Sequence, residues 1–241
     1  MNLMSKKSGF SLTEVLLALG TLAIGMTFVS GTFLAGIYLS TISTEQTIAS
    51  IVAEEAFAKV RIFGLGSGVQ NPAVDGLTRY ETMNTNIPSD EFAYPSTPIE
   101  SDKQYYWSAL CRSVDSSVAN QLIQVTVFVS RKVGVGTTYP GGFDRPVPVE
   151  VGASFVSGSG NDTLTISDSA ERGYINDGCK IVDNRTGEIY RVIRRGPDAP
   201  DTIVLDRPWQ GESTSSVWVV PPPTGGGRYP GIAVYQKVIR F

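Results

Sequence analysis

The sequence predicts an α+β fold: a long N-terminal helix, apolar enough to cross a membrane, packed on an antiparallel β-sheet domain that carries an extra small β-barrel-like insertion. Three observations predict it. No charged residue falls between Glu14 and Glu45, and that stretch is rich in Leu, Ile, Val, Phe and Ala. Beyond Phe63 the chain changes to short alternating runs of β-branched and aromatic residues. All 14 Pro and most of the 25 Gly also lie beyond Phe63, which suits turns between strands.

The helix comes first. About 20 apolar residues cross the hydrocarbon of a bilayer at 1.5 Å per residue, so residues 15–44 suffice with length to spare. In the following segment, EQTIASIVAEEAFAKVRIF, Ile48, Ile51, Val52, Ala56, Val60 and Phe63 recur at threes and fours. Glu45, Glu54, Glu55, Lys59 and Arg61 lie between them. Gly64, Gly66 and Gly68 end the run. One helix is therefore expected from about Ser11 to Phe63. Glu14 stands out at its start. A charge at the centre of a membrane helix costs about 2.5–3.5 kcal/mol on insertion scales, and less near the interface. Either Glu14 sits at headgroup level beside the positive end of the helix dipole, or it serves a function with a partner, for which Lys6 and Lys7 are candidates. Gly20, Gly25, Gly31 and Gly36 interrupt the apolar run, each weakening an isolated helix by roughly 1 kcal/mol relative to Ala. Close approach of neighbouring helices and local loosening of this one are both open as their purpose.

The remaining elements follow in order. Residues 64 to about 102 hold prolines at 88, 95 and 98 with no sustained periodicity, and read as a long loop. KQYYWSALCR and QLIQVTVFVSRK alternate and read as a hairpin pair around SVDSSVAN. PVPVEVGASFVSGSG reads as a third strand and an exit. Short strands are expected at Thr163–Ile166, Cys179–Asp183, Ile189–Arg195 and Thr202–Leu205, with DNRTGEIYRV as a hairpin and an SH3-like or related small barrel as the outcome. PPPTGGG is a linker by composition. GIAVYQKVIRF is expected to return to the first sheet, because a lone C-terminal strand in solvent is an aggregation hazard. The organisation is thus a helix over 10–63, a β domain over 64–159, a β-rich insertion over 160–220, and a linker with a returning strand over 221–241.

Little in the sequence points to catalysis, and the chain is not expected to be an enzyme or to need a cofactor or a metal. Histidine is absent, which removes the histidine triads and the histidine metal sites. Cys111 and Cys179 make no zinc site by themselves. A Cys111–Cys179 disulfide is open on an oxidising, exported side, but two separately buried thiols are favoured. Asp162, Asp168, Asp177, Asp183 and Asn184 match no D-x-[DN]-x-[DN]-G loop, so turn chemistry is favoured over calcium. Glu54 and Glu55 read as a solvated helix face, and Tyr105, Tyr106, Trp107, Trp209 and Trp218 as packing. The net charge of −3 gives no nucleic-acid footprint; Arg191, Arg194 and Arg195 read as a solvated strand edge.

The segment KKSGFSLTEVLLALGTLAIGM resembles the N terminus of type IV pilins and type II secretion pseudopilins, the prepilins with a class III signal sequence. That pattern is a short basic leader ending in Gly, then Phe, with Glu five residues after the glycine. Here these are Lys6 and Lys7, Gly9, Phe10 and Glu14, and the likeness covers about residues 5–30. The hairpin beyond the loop resembles the antiparallel meander of minor pseudopilins. The resemblance implies that residues 1–9 are a leader. A membrane-embedded prepilin peptidase would cut between Gly9 and Phe10 and N-methylate Phe10, the chain itself being the substrate. It implies that Glu14 pairs with the new amino group of Phe10 in a neighbouring subunit, and that the helix serves first as anchor and then as filament core. The implied partners are the prepilin peptidase, other pilin or pseudopilin subunits and the inner-membrane assembly machinery. The implied location is the inner (cytoplasmic) membrane, single-pass with the C-terminal domain outside the cytoplasm, and afterwards the pilus or pseudopilus. Many members carry a helix-breaking Pro where this chain has Gly31. Two alternatives stand beside this reading: a competence-type DNA-binding pilin, and a single-pass envelope protein whose β domain binds a ligand and does not polymerise.

Overall fold

The computed structural model describes residues 9, 11–66, 72, 75–99, 101–114, 122–134, 136–155, 161–196 and 201–241. Lys6, Lys7 and Phe10 lie outside the described residues, as do most of SVDSSVAN and the SGSG stretch before Asn161. The chain divides into two compact units, Met1–Glu45 and Gln46–Phe241.

The elements are α1 (Leu12–Phe63), β1 (Thr78–Arg79), α2 (Tyr80–Met83), β2 (Ala93–Tyr94), β3 (Tyr105–Ser113) and β4 (Leu122–Arg131). They continue with β5 (Val149–Phe155), β6 (Thr163–Ile166), β7 (Lys180–Asp183), β8 (Ile189–Arg195), β9 (Thr202–Leu205), β10 (Thr214–Val219) and β11 (Gly231–Arg240). The expected α+β class is what the structure has: one long N-terminal helix, antiparallel sheets and a closed barrel.

Within the second unit the first sheet runs β1-β3-β4-β11, with β2 also paired to β3. Strand alternation divides its residues between two faces. Trp107, Ala109 and Cys111 of β3, Val125, Val127 and Val129 of β4, and Ile239 of β11 point one way. They form a single core with Ala49, Val52, Ala53, Ala56, Phe57 and Val60 of α1. The three- and four-residue spacing of those helix positions is what puts them on one stripe. On the opposite face Leu110 and Phe128 pack with Val182, Trp218 and Val220. The sheet is therefore covered twice, by the helix stripe and by the barrel, and β3 and β4 are buried on both faces.

The barrel closes in the order β10-β5-β6-β9-β8-β7. Its interior is filled by alternating residues such as Val151, Leu164, Ile181, Tyr190, Ile203 and Val217. The segment expected as a third strand and exit, β5, does not join the first sheet but pairs with β6 and β10, so the barrel strands run from Val149 to Val219. Because β8 is paired on both sides, by β7 and β9, Arg191 and Arg194 stand on the outer face of a closed barrel and not at an edge. Arg195 is half-buried and donates from Nε to Ile175 O at 2.7 Å.

The turn Asp183–Gly187 joins barrel to sheet. Asp183 is fully buried and accepts from the Thr186 amide at 3.0 Å, the Thr186 hydroxyl at 2.6 Å and the Ser215 hydroxyl at 2.9 Å. Asn184 Oδ1 accepts from the Leu77 amide at 2.8 Å and from Trp218 Nε1 at 2.9 Å. Arg112 of β3 donates to Arg185 O, and Gln236 of β11 donates to Gly187 O. Gly187 has φ +73°, and a Cβ there would lie 2.8 Å from Gln124 Nε2. The left-handed backbone calls for glycine, and a Cβ would also push the Gln124 amide aside.

The segment expected as a loop, 64–102, is partly fixed packing. Tyr80, Met83 and Phe92 are buried in the helix–sheet core. Lys59 of α1 pairs with Glu55 at 2.7 Å and Glu91 at 3.0 Å, and Trp107 Nε1 donates to Glu91 O at 2.7 Å. Cys111 and Cys179 are free thiols, so the disulfide left open above is not formed; one lies in the helix–sheet core and the other in the barrel core. Burial pushes both thiols up to about 12.

Candidate functional site

The residues singled out in the sequence fall on the N-terminal part of α1. The helix starts because Ser11 caps it. The Glu14 amide donates to Ser11 Oγ at 3.2 Å and to Ser11 O at 3.1 Å, and the Val15 amide donates to Ser11 O at 3.2 Å. Ser11-Leu12-Thr13-Glu14 also has the S-x-x-E form of a capping box, a signal that reading Glu14 only as a membrane carboxylate passes over. Glu14 is exposed in the first turn, where the helix dipole favours a negative charge by about 0.3–1 kcal/mol.

From Leu12 to Thr41 every residue is exposed, including Leu16, Leu22, Ile24, Phe28, Phe33 and Leu39. These residues circle the helix and do not form a stripe. α1 is the one helix among the described residues long and apolar enough to cross a membrane, and none of its most apolar window is buried within the chain. Its hydroxyls suit such a setting. Thr27 donates to Ala23 O, Ser30 to Met26 O, Thr41 to Ile37 O and Thr44 to Ser40 O, at 2.8 to 2.9 Å. Each bond turns a polar group back onto the helix's own carbonyls, which is how Ser and Thr are tolerated where no water is available. Around Gly9, Gly20, Gly25, Gly31 and Gly36 an added Cβ would meet nothing within 4 Å, so no contact within the chain requires glycine there.

The aspartates weighed for calcium serve turns and caps. Asp168 Oδ1 accepts from the Ala170 amide at 2.8 Å, and Asp177 Oδ1 from the Arg195 amide at 2.9 Å. Among the described residues no three His, Cys, Asp or Glu are grouped so as to hold a metal ion.

The class defined by these features is an α+β protein with an N-terminal helix of membrane-spanning length and apolarity, an antiparallel sheet, and a closed six-stranded barrel. No family model matches the chain, and no curated protein and no solved structure matches it either.

Proposed function

We propose that the chain is a structural subunit, a minor pilin or minor pseudopilin, of a type IV pilus or type II secretion filament. The observation that carries the reading is the order Lys6, Lys7, Gly9, Phe10, Glu14 directly before a long uncharged run. The physical argument is consistent with it. A helix apolar on every side buries little of its surface within its own chain, and both lipid and neighbouring helices supply that cover. On this reading prepilin peptidase cuts between Gly9 and Phe10 and methylates the new amino group. Glu14 then pairs with that group of an adjacent subunit. In a low-dielectric setting such a pair is strongly sensitive to geometry, which makes it a register device for assembly. The chain supplies no catalytic group and is held in the inner membrane until it is assembled.

Mass spectrometry of the native mature protein tests this. The expected N terminus is N-methylated Phe10, and a bulky replacement of Gly9 leaves uncut precursor in the membrane. A mature protein that keeps Met1, or is cut near Ala35, overturns the reading in favour of a single-pass envelope protein that does not polymerise.

A further inference from the structure

The barrel carries opposite charges on opposite sides. In its closed order β7 and β8 are neighbours, β5 and β6 are neighbours, and β10 and β9 separate the two pairs. Lys180 of β7 stands directly opposite Arg191 of β8, a like-charge pair that costs stability across two strands. Further along β8 the register shifts between Val192 and Arg194, and Ile193 and Arg194 are both exposed there. On the other side lie Glu150 of β5, Asp168 just after β6, and Glu171, which opens the short turn Glu171–Tyr174. Burial raises the Glu171 pKa, and the nearby Asp168 and Glu150 carboxylates add to the rise. Lys180 is the mirror case: burial lowers its pKa, and the Arg191 charge adds to the fall.

Neither set is answered within the chain. Among the described residues no ion pair includes Lys180, Arg191 or Arg194, and none includes Glu150, Asp168 or Glu171. Glu150 accepts from neutral groups, the Ser216 hydroxyl and the Asn184 side-chain amide. Arg172, next to Glu171 in sequence, pairs with Asp201. Asp177 and Asp206 border the cations, but Asp177 Oδ1 accepts from the Arg195 amide at 2.9 Å and Asp206 Oδ1 from the Arg191 amide at 3.0 Å. Like charges held together without a countercharge are offset when a surface of the opposite sign docks on them.

The charges also name the occupant. A nucleic acid or an anionic lipid surface would approach a chain of net charge −3 and meet Asp177 and Asp206 beside the cations. A second copy of this chain already carries the complement, Glu150, Asp168 and Glu171 for Lys180, Arg191 and Arg194. The two sets lie on opposite sides of the barrel, so one two-fold contact cannot use both. The contact they allow is heterologous, the basic side of one copy on the acidic side of the next, and such contacts repeat as an open row.

We propose that the barrel docks head to tail on a second copy of this chain, with Lys180, Arg191 and Arg194 of one copy facing Glu150, Asp168 and Glu171 of the next. The contact needs neither cleavage at Gly9 nor the Glu14 pair, so it stands or falls apart from the assembly reading. The test mixes isotope-labelled and unlabelled full chain in dodecyl maltoside and treats it with a zero-length carbodiimide, which joins an amine to a carboxylate that it touches. Mass spectrometry reads the peptides that link Lys180 of one copy to Asp168 or Glu171 of another. The links should form at about 0.1 M salt and fall about tenfold at about 1 M, where the screening length drops from about 10 Å to about 3 Å. Arg191→Glu with Arg194→Glu should lose them, and so should Asp168→Lys with Glu171→Lys. Mixing the two double variants should restore links from Lys180 of the second to Asp168 or Glu171 of the first, which also shows that both are folded. Absence of the links in the wild-type chain overturns the proposal. So do links that Arg191→Glu with Arg194→Glu keeps at wild-type yield, and so does a mixture that restores none. Binding of a short DNA duplex or of phosphatidylglycerol micelles through Arg191 and Arg194, without the links, overturns it in favour of a polyanionic partner.

Discussion

The two halves of α1 use the same backbone and opposite patterns. From Leu12 to Thr41 the apolar residues lie on every side and all are exposed. From Gln46 to Phe63 a stripe of them, Ala49, Val52, Ala53, Ala56, Phe57 and Val60, is buried against the sheet, while Ile51 and Ile62 stay exposed. The same residue type shows the contrast: Phe28 is 75% exposed and Phe57 is 5% exposed. The second half finds its cover within the chain. The first half is written for cover that comes from elsewhere, so its side chains should contribute to insertion and assembly and very little to the stability of the β domain.

The largest expected effect tests that contrast with matched truncations. In the full chain in detergent, Phe57→Ala should cost about 3–5 kcal/mol of unfolding free energy, as for other buried Phe deletions. Phe28→Ala should leave the same denaturant transition within about 0.5 kcal/mol. A similar loss from both would mean that the outer half is part of the folded core.

Glu14 comes next. Glu14→Gln should keep membrane insertion and cleavage, because Gln retains size and polarity. It should lower incorporation into sheared filaments more than a hundredfold. Removing one member of a buried ion pair costs roughly 3–5 kcal/mol, and about 1.4 kcal/mol is tenfold. Wild-type incorporation would instead leave Glu14 as an exposed charge in the first turn, where the helix dipole favours it.

A smaller effect concerns groups buried within the chain. Burial pushes the Cys111 and Cys179 thiols and the Tyr190 phenol up to about 12. The folded state holds these protons while an unfolded thiol releases its own near its ordinary value of 9.0. Their contribution is therefore complete below pH 9 and is lost as pH rises from 9 towards 12. The urea midpoint should fall over that window, and Cys111→Ala with Cys179→Ala should flatten the onset of the fall.

The smallest effect is at the solvent side of the helix–sheet contact, where Lys237 Nζ lies 2.8 Å from Glu54 Oε2. Both side chains are largely exposed, so Glu54→Ala should change stability by less than about 1 kcal/mol. A larger loss in thermal unfolding would show that this pair helps to hold the helix stripe in place.

Where periodicity and a buried face coincide, the sequence is a good guide. The expected strands at Thr163–Ile166, Ile189–Arg195 and Thr202–Leu205 are β6, β8 and β9, and the returning C-terminal strand is β11, paired with β4. Two features were not legible. β10 begins Thr214-Ser215-Ser216, which has no alternation; it is a strand because β5 and β7 occupy both its edges. β5 alternates equally well for either sheet, and its choice of partners depends on residues distant in sequence. The buried Tyr80, Met83 and Phe92 escaped notice because single side chains in a proline-rich stretch carry no period. At the N-terminal motif the structure adds the Ser11 cap and the open surroundings of the glycines.

The pairing of β5 with β10 has one more consequence. Val149, where the chain enters the barrel, lies opposite Val219, where it leaves. Entry and exit are thus neighbours in one ladder, about 5 Å apart across the strands, while β4 and β11, which flank the barrel in sequence, are already paired with each other. The barrel is thus a side loop with a closed doorway, and replacing it would not rethread the sheet, provided that whatever stands there still covers Leu110 and Phe128 and meets the groups that the Asp183–Gly187 turn now satisfies.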